Sequence, residues 1–172
     1  MSDVTTDSHG ASSITIQAGV DELAGVRAFV RERVAAAGGD AAMASDLVQA
    51  VDELVCNVIE HGYRGAPGTI ELDARVTGET IVVRIRDRAT AFDPRSVPPP
   101  DLDLPLERRP LGGMGVHLAR TLTDRLDHRI LPGGGNEVTL SKRLRPRTAR
   151  ESNDGDQDRP AERRPRGHRP GR

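Results

Sequence analysis

Apolar positions recur along residues 13–144 with two different periods, and each change of period marks an element. "SITIQA" (13–18) alternates apolar with polar, as a half-buried strand does. "VDELAGVRAFVRERVAAAGG" then sets Leu23, Val26, Val30 and Val34 on one face and stops at Gly38–Gly39, which predicts a first helix. Asp40 stands as the N-cap of a second helix reaching about Ile59. Along it Leu47, Ala50, Val51, Leu54, Val55, Val58 and Ile59 form one apolar stripe. "TIELDARV" and "TIVVRIRD", joined by "TGE", predict a hairpin over 69–87. A Pro-rich stretch over 88–110 leads through "LGGMG" into a third helix at about 114–126. "HRIL", "PGGGN" and "EVTLSK" predict a closing hairpin.

The order β-α-α-β-β-loop-α-β-β makes runs of neighbouring strands and helices that need one common apolar partner. The fold class expected is α/β: a two-layer sandwich of a mixed, mainly antiparallel sheet with helices on one face. Residues 13–144 form this single domain. Residues 1–12 are small and polar and read as a disordered N-terminus. Residues 145–172 contain no Val, Ile, Leu or Phe and hold nine arginines against five acids. Such a tail buries too little apolar surface to order itself. It reads either as solvated chain or as an electrostatic docking arm for an acidic partner.

Composition narrows the function classes. The net charge is −1 over 172 residues, so no global field calls for nucleic acid. With no Trp, one Tyr and two Phe, base-stacking platforms are also missing. Cys56 is the single cysteine, which excludes an intrachain disulfide and points to a reducing, cytoplasmic compartment. The N-terminus lacks the basic-then-apolar pattern of a signal peptide. No apolar run approaches the roughly 20 residues of a membrane span.

Candidate chemistry begins where the second helix departs from its own pattern. In "DELVCNVIEHGY" (52–63), Glu53, Asn57 and His61 recur every four residues. At about 100° per residue, with Leu47 at zero, the stripe centres near 30° and these three fall near 240°, 280° and 320°. They make a polar file down one flank of the stripe, suited either to the wall of a cleft or to ordinary solvent, with His61 capping the helix near Gly62. Asp87 ends a strand, where its carboxyl group can face a ligand or simply form a turn. Gly112, Gly113 and Gly115 precede or open the third helix. Backbone N–H groups there suit an anion, and the same glycines suit a hinge.

Taken together and in this order, these segments resemble the GHKL (Bergerat) ATP-binding fold, and within it the anti-sigma-factor serine/threonine kinases. "VDELVCNVIEHGY" is similar to that family's N box, "DRATAFDP" to its first glycine box in position, and "LGGMGVHLARTLTDRLDH" to its second. The resemblance covers about residues 14–144. It implies that Glu53 is the general base and that Asn57 is an oxygen ligand of Mg²⁺. Asp87 would accept from the adenine amino group, and Gly112, Gly113 and Gly115 would hold the phosphates of ATP under a lid. Arg108 and Arg109 read as lid cations for the γ-phosphate or as solvated loop residues. The implied function is phosphorylation of an anti-anti-sigma (STAS-type) antagonist, with capture of a sigma factor by a homodimer that touches neither nucleic acid nor membrane. The family's D-x-G-x-G carries Ala89 and Ala91 here, which costs about 1 kcal/mol per site wherever a positive φ is required. That departure motivates the alternative: a non-catalytic nucleotide-binding or sequestering module of the same fold.

Overall fold

The computed structural model describes residues 3–6, 12–98 and 114–144. The strands are β1 (Asp3–Thr6), β2 (Ser12–Gln17), β3 (Thr69–Thr77), β4 (Thr80–Asp87), β5 (Arg125–Ile130) and β6 (Asn136–Arg143). They form one sheet in the order β1-β2-β3-β4-β6-β5. All five pairings are antiparallel, so the sheet is antiparallel throughout rather than mixed. Three helices cover one face: α1 (Leu23–Ala36), α2 (Ala41–Asn57) and α3 (Met114–Leu122). No described helix is long and apolar enough to cross a membrane.

Register follows from the period of two. Ile14 pairs with Leu72, Leu72 with Ile85 and Ile85 with Val138, so one apolar row crosses four strands on the helix side. A shift of one residue would turn that whole row to solvent. The helices bring the complementary stripes: Val26, Val30 and Val34 of α1, and Leu47, Val51 and Val55 of α2, are all buried. Asp40 caps α2 as its sequence position predicts, accepting a hydrogen bond from Met43 N–H at 2.7 Å. α2 packs between α1 and α3. Lys142 ties the layers by donating to the Leu122 carbonyl at 2.6 Å and pairing with Asp46 at 3.1 Å.

Three expectations are corrected. Residues 3–6 pair as a strand where disorder was expected, and Ser12 already belongs to β2. The threonines and valine of "DVTT" suit an extended edge, and the open side of β2 supplies partners. The third helix stops at Leu122 rather than near 126, because Arg125 and Leu126 pair with Ser141 and Leu140 in β5. The second helix does not end near Ile59. It continues as a π-helical turn over Val58–Tyr63.

The sheet's other face is a charged lattice. Glu137 is 5% exposed and accepts from Arg129 at 2.7 Å and from Arg86 at 2.6 Å. Asp73 pairs with Arg84 and Arg86, each at 3.1 Å. The hydrogen bond from Arg129, helped by Arg86, holds the Glu137 carboxyl at about 2 instead of 4.5, against the opposing effect of burial. Above the higher value the folded and unfolded chains are both ionised and the lattice contributes fully. As pH falls between about 4.5 and 2, the unfolded chain takes up a proton that the folded chain resists, and the contribution is lost. Urea unfolding at about pH 6 and about pH 3 is therefore expected to show a smaller loss of stability in Glu137→Gln than in the parent. Equal losses in the two proteins would contradict this role for Glu137.

Candidate functional site

The site is built where α2 runs past the end of the sheet. In the π-helical turn after Asn57 the hydrogen bonds reach one residue further than in an α-helix, a feature that recurs at functional sites. His61 accordingly lags the regular four-residue file and is exposed. It does not cap the helix. Arg64 takes the left-handed position at φ 53° and donates its N–H to the Ile59 carbonyl. Tyr63, at the end of the same turn, donates its hydroxyl proton to the Thr69 carbonyl at 2.8 Å and accepts from Arg88 N–H at 3.0 Å. One side chain thus locks the helix end to the start of β3 and to the residue after Asp87.

A cavity of about 360 Å³ opens beside this turn, with Asn57, His61, Arg64, Asp87 and Asn136 in its wall. Val58, Ile85, Phe92 and Val138 supply an apolar lining. Asp87 is 3% exposed. Its Oδ1 accepts from Ala89 N–H and from Asn136 Nδ2, both at 2.9 Å, whereas its buried Oδ2 has no partner. An unpaired acceptor in such a place costs about 1–3 kcal/mol, and a ligand bearing an N–H donor removes that cost.

Glu53 sits one turn ahead of Asn57, half-buried, and is not in the cavity wall. Its carboxyl lies against Gly115, in the first turn of α3, so closely that a β-carbon on Gly115 would overlap Oε2. Arg120 fastens α3 to the rim of the cavity by donating to the carbonyls of Pro94 at 2.7 Å and Val97 at 3.0 Å. Asn57, His61 and Asp87 therefore share one cavity, and Glu53 and Gly115 meet beside it. Gly112, Gly113, Arg108 and Arg109 lie outside the described residues, as does the 145–172 tail.

The two alanines of the first glycine box prove compatible with the loop. Arg64 is the only described non-glycine residue with positive φ, so neither Ala89 nor Ala91 carries the left-handed penalty. The Ala89 methyl packs toward Gly62, where an added β-carbon would come within 2.8 Å of it. A methyl lost from the helix turn is a methyl accommodated on the loop.

Sequence reasoning missed Tyr63, Arg88 and Asn136. Arg88 holds the 131–135 turn by donating to the Gly134 carbonyl at 3.0 Å. Tyr63 was visible as the one tyrosine of an aromatic-poor chain, directly after the polar file. Asn136 carried no signal beyond following three glycines, since its partners at Asp87, Thr90 and Phe92 are 44 to 49 residues away.

An antiparallel sheet covered by helices on one face, with a partly apolar cavity holding an unpaired carboxyl oxygen at one end and an amide-bearing helix as its wall, belongs to the GHKL class of nucleotide-binding domains. A family model described as "Histidine kinase-like ATPase domain" matches residues 16–142, and the chain belongs to that family. Among curated proteins it is 29% identical over 101 residues to serine-protein kinase RsbW of Bacillus cereus, covering 56% of this chain and 62% of that one. RsbW of Bacillus thuringiensis subsp. konkukian gives the same figures. The chain thus spans less than two thirds of the length of these relatives. Among solved structures it resembles that of the RsbU and RsbW domains of Rv1364c from Mycobacterium tuberculosis. The TM-score is 0.56 at 27% identity, covering 78% of this chain and 32% of that one.

Gly115→Ala tests the contact between α3 and Glu53. Alanine is the better helix former by about 1 kcal/mol, but its β-carbon would overlap the Glu53 carboxyl and crowd the Glu53 Cβ at 3.3 Å, so the melting temperature is expected to fall. A melting temperature that holds or rises in Gly115→Ala would show that Glu53 does not need the space Gly115 leaves.

Proposed function

We propose that this chain is an ATP-dependent serine/threonine protein kinase of the anti-sigma type. The observation that carries the reading is the buried, unpaired Oδ2 of Asp87, a residue that lines the same cavity as Asn57, which lies one helical turn from Glu53. A 6-amino purine offers the donor that this oxygen lacks. When bound, Mg²⁺–ATP supplies the transferable phosphoryl group and the cation that neutralises its charge.

Within that reading, Asp87 anchors the base and the apolar wall around Ile85 and Val138 excludes water from its faces. Asn57 offers an amide oxygen to Mg²⁺, which needs few protein ligands because water and phosphate complete its octahedron. Glu53 accepts the proton of the incoming hydroxyl. Gly112, Gly113 and Gly115 keep the phosphate-holding role that the family likeness gives them. The Bacillus relatives are named serine-protein kinases, which supports a protein acceptor. The family likeness extends the reading to an anti-anti-sigma (STAS-type) antagonist as acceptor, a sigma factor as the sequestered partner, a homodimer as the assembly and the cytoplasm as the compartment.

Ala89 and Ala91 carry no left-handed penalty, so the non-catalytic module rests on their methyls alone, which line the cavity. Nucleotide binding is measured first: Mg²⁺–ATP at about 100 times its Kd should add about 2.7 kcal/mol of stability. Labelled ATP and the candidate antagonist then test catalysis. Glu53→Gln is expected to keep the nucleotide-induced stabilisation while lowering label transfer by about 10²–10⁴-fold. Stabilisation without transfer in the parent protein would support the sequestering module instead, and transfer undiminished in Glu53→Gln would remove Glu53 from the base role.

A further inference from the structure

Asn136 opens β6 beneath the cavity and is 4% exposed, yet both polar atoms of its side chain are fully engaged. Its Oδ1 accepts from Phe92 N–H at 2.9 Å. Its Nδ2 donates to Asp87 Oδ1 at 2.9 Å and to the Thr90 carbonyl at 3.2 Å. These partners settle which end of the amide is which, because a backbone N–H only donates and a backbone carbonyl only accepts. His128 backs the arrangement from β5. Its Nε2 is 3.2 Å from Asn136 Oδ1, and its Nδ1 lies 3.5 Å from Asp93.

Two consequences follow for the cavity. Asp87 Oδ1 is saturated by two donors, Ala89 N–H and Asn136 Nδ2, so the carboxyl group cannot turn without breaking both. What it offers a ligand is one acceptor, Oδ2, in one direction. The loop is held as well: Asn136 grips the backbone at Thr90 and at Phe92, on either side of Ala91.

We infer that Asn136 is a positioning residue that makes Asp87 a one-acceptor reader of the purine 6-position. The inference rests on the nucleotide reading above and deepens it. A 6-amino group donates to Oδ2. A 6-oxo group places a second acceptor against it, and with Oδ1 held the side chain cannot adapt. Discrimination between adenine and guanine nucleotides is thereby controlled by a residue whose polar atoms all engage the protein itself.

The test is calorimetric titration of the full chain with Mg²⁺–ATP and Mg²⁺–GTP, in the parent, Asn136→Ala and Asn136→Ser. The parent is expected to prefer ATP. In Asn136→Ala the ATP affinity should fall about tenfold, the size of one hydrogen bond to a charged or strongly polar group, while GTP affinity falls less, so the preference shrinks. Serine retains a short donor and should restore part of the preference; it also carries the test if the alanine variant does not fold. An unchanged ATP-to-GTP ratio in a folded Asn136→Ala protein, or equal loss for both nucleotides, would overturn the inference and reduce Asn136 to a structural tie. Failure of the parent to bind ATP at all is a different result, which removes the nucleotide reading itself.

Discussion

A buried carboxyl group satisfied on one oxygen and bare on the other is the constraint around which this domain is arranged. Asp87 ends β4 inside the protein, and two donors occupy Oδ1 while Oδ2 meets none. Native interiors pair nearly all their polar atoms, so a bare acceptor beside a cavity marks a place where a ligand completes the structure. Other features converge on holding that residue still. Tyr63 fixes the peptide after it, Arg88 fastens the neighbouring turn, and Asn136 grips both the carboxyl and the loop.

The second helix serves packing and chemistry along the same length. Leu47, Val51 and Val55 seal the core on one side, and Glu53 and Asn57 ride on the flank. A helix locked in this way by its apolar stripe holds its polar flank to the precision of the core, better than a loop would. The π-helical turn then changes the direction of the chain and brings Tyr63 back against the sheet. Glu53 is the exception to the cavity's geometry: it belongs to the junction between α2 and α3, where the absence of a side chain on Gly115 leaves room for its carboxyl.

Much of this was legible in the residues because it depends on local period. The apolar stripe of α2, the Asp40 cap and both hairpins are statements about neighbours a few positions apart, and each reappears in the structure. The family likeness put Asn57 of the N box and Asp87 of the first glycine box in one site across thirty residues, which periodicity alone does not do, and both line one cavity. The end of the third helix was hidden, because "LTDRLDH" continues a helical pattern and only pairing with Ser141 and Leu140 makes Arg125 and Leu126 a strand. The π-helical turn was hidden for a similar reason: it arises from where Tyr63 must reach. Asn136 was hidden most completely, since the residues it holds in the cavity wall, Asp87, Thr90 and Phe92, are distant along the chain. The strain expected at Ala89 and Ala91 rested on an assumed backbone angle, and neither residue has a positive φ.

The central claim is that the bare oxygen of Asp87 receives the amino group of an adenine. A crystal structure of the chain with Mg²⁺ and a non-hydrolysable ATP analogue tests it most directly. The account predicts the exocyclic nitrogen within hydrogen-bonding distance of Asp87 Oδ2, with Oδ1 still held by Ala89 and Asn136. An analogue seated elsewhere, or bound in the cavity with Oδ2 left unpaired, would contradict it.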